Sequence, residues 1–328
     1  MSIHVAQVVH ADMAQRILIT GASGFVGQAV ARYFLAQNRP LICPSRQPLS
    51  YQSPLMANPL VQQLTPDLDW TVHLHEVDAV IHCAARVHVM HESAADPLAL
   101  FRRVNVDATL ALARQAAAAG VRQFIFISSV KVNGELTQTG KPFCEQDAPL
   151  AEDPYGISKC EAEIALLQLG EQTGMAVTII RPPLIYGPGV KANFLSMLRW
   201  VKKGIPLPLA STRNKRSFVY LGNLISLIDT CLHHPNAGQE IFLVSDGQDL
   251  STAELLQACA KAMQVPSRLL PCPPSLLTLA ATLLGKKTVA DRLCLSLQVD
   301  ITKAKTLLGW TPPYTVEQGL AATVTQLP

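Results

Sequence analysis

Charge is scarce in this 328-residue chain: Asp, Glu, Lys and Arg together make up only 16% of it, against a usual share of about 25%. Beside 49% hydrophobic residues, that scarcity excludes disorder as the main state and leaves enough apolar side chains for a large core. Neither sign of charge dominates. The 27 basic and 24 acidic residues leave +3, too even a balance for a nucleic-acid footprint, so none is expected as a partner. The eight cysteines, at 43, 83, 144, 160, 231, 259, 272 and 294, include no CxxC and no Cys/His cluster at zinc-ligand spacing. They read as reduced thiols of a cytosolic protein with no bound metal. A membrane span is missing too, since the longest apolar stretch, 276–284, is far shorter than the roughly 20 residues required. The first fifteen residues, with His4, His10 and Asp12, lack the basic start, apolar run and small-residue cleavage site of a signal peptide. They read as a loose extension, with Met13 as an alternative start. No internal repeat is present.

What is there is a rhythm. Short β-branched runs at 17–19, 41–43, 79–81, 124–127 and 177–180 alternate with helical patterns at 25–36, 98–119 and 157–169. Continuous apolar strands separated by helices predict a doubly wound α/β domain, its parallel sheet covered on both faces, over 14–181. After Arg181 the rhythm breaks at Pro182-Pro183, Gly187-Pro188-Gly189 and Pro206-Leu207-Pro208. Residues 182–328 are therefore expected to form a smaller substrate domain, partly interleaved with the first.

Gly21, Ser23, Gly24, Phe25, Val26 and Gly27 directly follow the first strand and open a helix. In that context the glycines turn the chain tightly, let backbone N–H groups approach a pyrophosphate and pack helix on strand, which predicts a dinucleotide site. The second strand runs into Pro44-Ser45-Arg46, with no acid to bind the 2′-hydroxyl of NAD. Ser45 and Arg46 could instead hold the 2′-phosphate of NADP, because a guanidinium fork matches phosphate geometry. NADP(H) is the favoured cofactor, with NAD(H) as the alternative. Asp67 and Leu68 stand where a carboxylate could cap the adenine amine.

The apolar run 124–127 ends in two hydroxyls, Ser128 and Ser129, where a parallel sheet's carboxyl end meets its ligand. About 25 residues on, Tyr155 and Lys159 are four apart at the start of a helix, which places phenol and ammonium on one face. A nearby cation favours phenolate and would lower the tyrosine pKa toward neutrality.

These elements, with His82-Cys83-Ala84-Ala85-Arg86 and Arg181-Pro-Pro-Leu-Ile-Tyr-Gly-Pro188, resemble the extended short-chain dehydrogenase/reductase family, in its nucleotide-sugar epimerase/dehydratase branch. The resemblance runs from about Arg16 to Trp310. It implies that Ser129, Tyr155 and Lys159 carry catalysis: Tyr155 exchanging a proton with a sugar oxygen, Ser129 hydrogen-bonding that oxygen, Lys159 binding the nicotinamide ribose. It further implies that Asn105 supports this network, that Ala84, Ala85 and Pro182 line the cofactor, and that Asn193, Arg216 and Arg292 contact a uridine diphosphate. Arg86 and Lys131 are candidates on the substrate side. A homodimer through the helices at 98–119 and 155–169 is the family's usual assembly.

A dehydratase of this branch needs an Asp-Glu pair after the strand-end hydroxyl, and Val130-Lys131 stands there instead. The stretches 82–88, 129–134 and 183–193 resemble a bacterial subgroup of UDP-glucose 4-epimerase-like proteins that includes UDP-2-acetamido-2,6-dideoxy-4-keto-hexose 4-reductases of surface-polysaccharide synthesis. The expected activity is that reduction. The runner-up is a UDP-hexose or UDP-N-acetylhexosamine 4-epimerase, and a non-enzymatic dinucleotide sensor is the third reading.

Overall fold

The computed structural model describes residues 15–87, 96–138, 140–285, 287–325 and 327. The N-terminal extension with Met13, and His88 at the end of the 82–88 stretch, lie outside them. Five of the expected strands form where the apolar runs lie: β1 (Ile17–Thr20), β2 (Leu41–Ile42), β4 (Ala79–His82), β5 (Gln123–Ile127) and β6 (Ala176–Arg181). β3 (Met56–Ala57) is a two-residue edge that the sequence does not announce. All run parallel in the order β3-β2-β1-β4-β5-β6, and β9 (Glu240–Leu243) adds a seventh strand beside β6. Strand order reverses between β1 and β4, where Thr20 is in register with His82. That switch point opens the crevice in which such sheets bind ligands.

Each face of the sheet has its own core, because successive strand residues point to opposite sides. Ile17, Ile19, Ile125 and Phe242 pack with Val30 and Phe34 of α1 (Phe25–Ala36) and with Leu224 and Leu227 of a helix that returns late in the chain. Leu18, Val80, Phe124 and Phe126 face the other way, against Leu112 of α3 (Ala108–Ala118) and Leu166 of α4 (Pro154–Thr173). The pattern at 98–119, read as one helix, is broken: α2 (Pro97–Arg102) passes through a π-helical segment, Arg103–Asp107, before α3 begins. Such wide turns occur often at functional sites.

A second, smaller core gathers Tyr186 of β7 (Leu184–Tyr186), Phe194 and Leu198 of α5 (Ala192–Lys202), Phe218 of β8 (Phe218–Tyr220) and Leu256 of α7 (Thr252–Ala262). Leu320 of α11 (Val316–Val324) completes it. Between β8 and α7 the chain returns to the main sheet as α6 (Leu221–His233) and β9. Asp246, just past β9, ties the two parts together: its carboxylate accepts from the Tyr186 hydroxyl, the Tyr220 amide and the Asn223 side chain, each at 2.7 Å. The remaining helices are α8 (Pro274–Leu283), α9 (Lys287–Cys294) and α10 (Thr302–Leu308). Among the described residues, no helix is long and apolar enough to cross a membrane.

Candidate active site

The glycine turn is fixed by close approach. Gly21 sits at φ +70°, and a Cβ there would lie 2.8 Å from the Ala84 amide nitrogen; one on Gly27 would lie 2.3 Å from the Gly21 carbonyl oxygen. Both clashes are with backbone, so only glycine lets β1, α1 and the loop after β4 meet this closely. No side chain caps the first turn of α1, and no acid stands in it. Its amide groups are thus oriented for an anion. Beside the turn, Ser23, Gln28, Arg46 and Tyr51 line a cavity of about 480 Å³, and the Tyr51 hydroxyl donates to the Ala22 carbonyl at 2.9 Å. Among the described residues, no carboxylate lines this cavity. A backbone cradle that any Cβ would fill, followed by an arginine-lined cavity, fits the pyrophosphate and adenosine half of a dinucleotide.

Ser45 is placed differently from Arg46. It is buried, its hydroxyl donates to Gln47 O at 2.6 Å, and it accepts from Asn58 Nδ2 at 2.7 Å. The hydroxyl therefore holds the loop that presents Arg46, rather than standing ready for a phosphate. Asp67 is exposed in a turn, while Leu68 packs into the core and its carbonyl accepts from Gln115 of α3 at 2.9 Å.

At the switch point the Thr20 and Thr109 hydroxyls contact the two ring nitrogens of His82, at 2.8 and 3.0 Å. Burial, with the nearby Lys159, pulls the imidazole down to about 3, so His82 is a neutral hydrogen-bonding spacer. The Ala84 amide donates to Thr20 Oγ1 at 3.2 Å, which sets the half-buried Ala84 and Ala85 against the glycine turn. Asn105, in the π-helical turn, accepts from the Arg86 amide at 2.8 Å and donates to Ser158 Oγ at 3.0 Å. Ser158 in turn donates to the Tyr155 carbonyl at 2.8 Å. One amide side chain thereby couples the loop after β4 to the first turn of α4. The Arg86 guanidinium lies 5.6 Å from the centre of the Phe101 ring, whose edge packs against Tyr155.

α4 starts where its sequence says it should. Asp153 accepts from the Gly156 amide at 2.6 Å and Pro154 occupies the first helical position. Lys131 Nζ bonds Asp153 and also Glu135 Oε1, the latter at 3.0 Å, so this cation clamps the cap of the helix that carries Tyr155. Ser129 caps its own short turn, Val130–Val132. Its Oγ accepts from the Lys131 amide at 3.2 Å, which leaves the hydroxyl proton to donate elsewhere. Pro182 is buried, and its carbonyl accepts from the Val130 amide at 3.0 Å.

Lys159 turns inward. Its Nζ donates to Ile127 O at 2.8 Å and lies 4.1 Å from the centre of the Phe126 ring. Burial pulls the ammonium down to about 7, against opposing contributions from Glu163 and Cys83. Burial, with Asp153, pushes the Tyr155 phenol up to about 12. The lowered phenol expected from a neighbouring lysine is therefore not a property of this arrangement, because the cation is engaged with the sheet.

Behind these groups lies a network that the motifs do not reveal. Glu163 accepts from Ser128 Oγ and is gripped by Arg181, while Arg181 Nη1 also donates to Asn133 Oδ1 at 3.0 Å. A signal was available, since Glu163 stands four residues beyond Lys159 and eight beyond Tyr155, on the same helix face.

On the far side of the crevice, Arg216 donates to Leu295 O at 3.0 Å, and burial together with the like charge of Arg292 pulls its guanidinium down to about 10. Two arginines from distant segments thus feel one another's charge. Asn193 is exposed near the start of α5. Next to Arg216, an open cavity of about 750 Å³ is lined by Leu136, Arg213, Asn214, Pro274 and Leu295.

The sequence model of the NAD dependent epimerase/dehydratase family matches residues 17–245. A UDP-glucose 4-epimerase of Vibrio cholerae is 45% identical over 313 residues, 95% of each chain. A GDP-6-deoxy-D-mannose reductase of Pseudomonas aeruginosa is 28% identical, covering 94% of this chain and 96% of that one. Among solved structures, the UDP-glucuronic acid 4-epimerase of Bacillus cereus in complex with NAD has a TM-score of 0.77 at 18% identity, covering 95% of this chain and 98% of that one. With its glycine cradle at the switch point of a seven-stranded parallel sheet, the chain belongs to the NAD-dependent epimerase/dehydratase family and is an NAD(P)-dependent enzyme of the extended short-chain dehydrogenase/reductase type.

Proposed function

We propose that this enzyme reduces the 4-keto group of a UDP-linked hexose with NADPH, the sugar being a 2-acetamido-2,6-dideoxy hexose of bacterial surface-polysaccharide synthesis. The observation that carries the choice of cofactor, and with it the direction, is the adenosine-side cavity. Among the described residues it presents Arg46 and no carboxylate, which favours a 2′-phosphate over a free 2′-hydroxyl. NAD(H) remains the alternative. When bound, the nicotinamide supplies the hydride. The chain's own groups do the rest: Tyr155 delivers the proton to the sugar oxygen, Ser129 donates its free O–H to that oxygen, and Lys159 binds the ribose. The like charges of Arg216 and Arg292 support a diphosphate as the group that neutralises them, with Arg86, Lys131 and Asn193 as the further candidates for substrate contact. We place the reaction in the cytoplasm. The working unit is a homodimer, for which the exposed Leu100 of α2 and Ile164 of α4 supply apolar contact.

A second reading, UDP-hexose or UDP-N-acetylhexosamine 4-epimerase, is supported by the name of the Vibrio cholerae relative. Incubation with NADPH and a UDP-4-keto sugar, and separately with UDP-glucose or UDP-N-acetylglucosamine, separates the two. Stoichiometric loss of NADPH with the keto sugar is the expected result. Interconversion of C4 isomers without net cofactor oxidation would replace this reading with the epimerase.

A further inference from the structure

Helix α8 is apolar on the side that faces water. Leu277 packs toward the smaller core, but no residue of the helix is fully buried. Leu276, Leu279 and Leu283 follow at spacings of three and four and are all exposed, Leu283 at 80%. The helix carries no charged residue. The segment leading into α8 also carries exposed apolar residues. Leu207 bridges to Leu269, the Leu207 amide donates to Arg268 O at 3.0 Å and the Ala210 amide to Leu270 O at 3.1 Å. This pairing brings the segment of the exposed Ile205 against that of the exposed Leu270, and the Ile205 amide donates to the carbonyl of the exposed Trp200.

The same edge is basic. Arg268 reaches the Gly204 carbonyl at 3.4 Å, next to Lys203, and Lys287 opens the helix after α8. The sequence sharpens the point: residues 191–228 hold seven basic residues and 255–290 hold four, and neither segment contains an acid. A second copy of the chain seated here by a two-fold axis would set these cations against themselves. A negatively charged, apolar-centred surface suits them.

We propose that α8 and this basic edge form a docking face for an anionic lipid bilayer, with Leu276, Leu279, Leu283 and Trp200 entering the headgroup boundary while Lys203, Arg268 and Lys287 meet lipid phosphates. The face has the makings of an interfacial helix: an apolar stripe flanked by cations, lying on a membrane rather than spanning it. Pro274 belongs both to α8 and to the lining of the 750 Å³ cavity, so docking would hold that cavity beside the bilayer. The inference is independent of whether the enzyme is a reductase or an epimerase.

The test uses the full-length enzyme with sucrose-loaded vesicles of phosphatidylcholine, with and without one third phosphatidylglycerol. Trp200 is 50% exposed, whereas Trp70 and Trp310 are 1% and 4% exposed, so a change in tryptophan emission reports this face. The enzyme should sediment with the anionic vesicles, more weakly as salt rises, and its emission should shift to the blue. Leu279→Glu with Leu283→Glu should cut the bound fraction about tenfold, as charge placed on the apolar face opposes entry. Trp200→Phe should lose the emission shift while still sedimenting. Lys203→Glu with Arg268→Glu attacks the charge without touching the leucines, and should also release the protein. No sedimentation with either vesicle would overturn the proposal, as would binding indifferent to both double variants. So would a concentration-dependent dimer, seen by sedimentation velocity, that the leucine variants dissolve, since a second copy would then cover the stripe.

Discussion

Glu163 and Arg181 meet as a buried, two-pronged ion pair, the carboxylate 2% and the guanidinium 4% exposed, with Nη2 to Oε2 at 2.5 Å. The pair joins the catalytic helix to the end of β6, directly behind Ser128. Removing one member strands the other charge in the interior, a loss of about 3–5 kcal/mol. Glu163→Ala should lower stability by that order in urea unfolding, whereas a double replacement by apolar residues of similar volume should recover most of it. A single variant as stable as the parent would mean that the pair is hydrated in solution.

Tyr155→Phe should retain cofactor binding and lose turnover by about 10²–10⁴-fold, the usual worth of a positioned proton donor. Cofactor titration by fluorescence, set beside steady-state rates, separates the two effects. Equal loss of both would place the phenol in the binding site rather than in the chemistry.

Lys159 links activity to pH-dependent stability. Its pKa falls from 10.5 in the unfolded chain to about 7 in the fold. The unfolded state therefore binds more protons between those values, and each unit of depression costs about 1.4 kcal/mol. The cost is fully present below about pH 7 and is relieved as pH rises toward 10.5. Lys159→Met should thus stabilise the cofactor-free protein at pH 6 and lose that advantage by pH 10, while cofactor affinity and turnover both fall. Denaturation at the two pH values tests the first part. A stability gain that does not change with pH would show that the lysine is not buried as a charge.

Arg46→Asp should weaken NADPH binding by about 10–100-fold, the worth of a charge-assisted hydrogen bond, and leave NADH little changed or improved. Equal affinity of the parent enzyme for both cofactors would remove the phosphate role. Ser45→Ala makes the useful contrast: with its hydroxyl engaged by Gln47 and Asn58, it should act on both cofactors alike, through the loop.

Lys131→Ala should raise the Michaelis constant for the sugar nucleotide and leave NADPH affinity unchanged. Lys131 clamps Asp153 and Glu135, so the loss includes a loosened cap on α4. Burial raises the Asp153 carboxyl, but its bonds to Lys131 and Gly156 outweigh that and hold it below the usual carboxylate range. The clamp's contribution is therefore present above the unfolded carboxylate's pKa and is lost as pH falls through the folded value. A variant with unchanged steady-state kinetics would confine Lys131 to the surface.

Period and punctuation announced the sheet, because a strand buried on both faces must be continuously apolar, and 17–19, 79–81 and 124–127 are. They could not announce β3 or β9, whose pairings depend on distant partners, or the π turn at 103–107, whose sequence reads as ordinary helix. At the site, residue types with a fixed spacing were legible: the glycine turn, Ser129 and the Tyr155/Lys159 pair. Groups defined by tertiary partners were not. Glu163 takes its place only when Arg181 arrives from β6, and Ser45 reads as a phosphate ligand until Asn58 takes its hydroxyl.

The late return of the chain to its own sheet bears on how the protein is made. Thr178 of β6 pairs with Glu240 of β9, and the core over one face of the sheet needs Leu224, Leu227 and Ile228 of α6. While a ribosome is still making the segment after Arg181, the emerging chain has six strands, an open edge and one face covered by α1 but not yet by α6. Such non-local closure is slow, and unpaired parallel edges invite aggregation. The nascent enzyme must therefore pass through a stage in which its apolar sheet is exposed, and synthesis rate or chaperone access, more than the stability of the finished fold, would set how much of it survives.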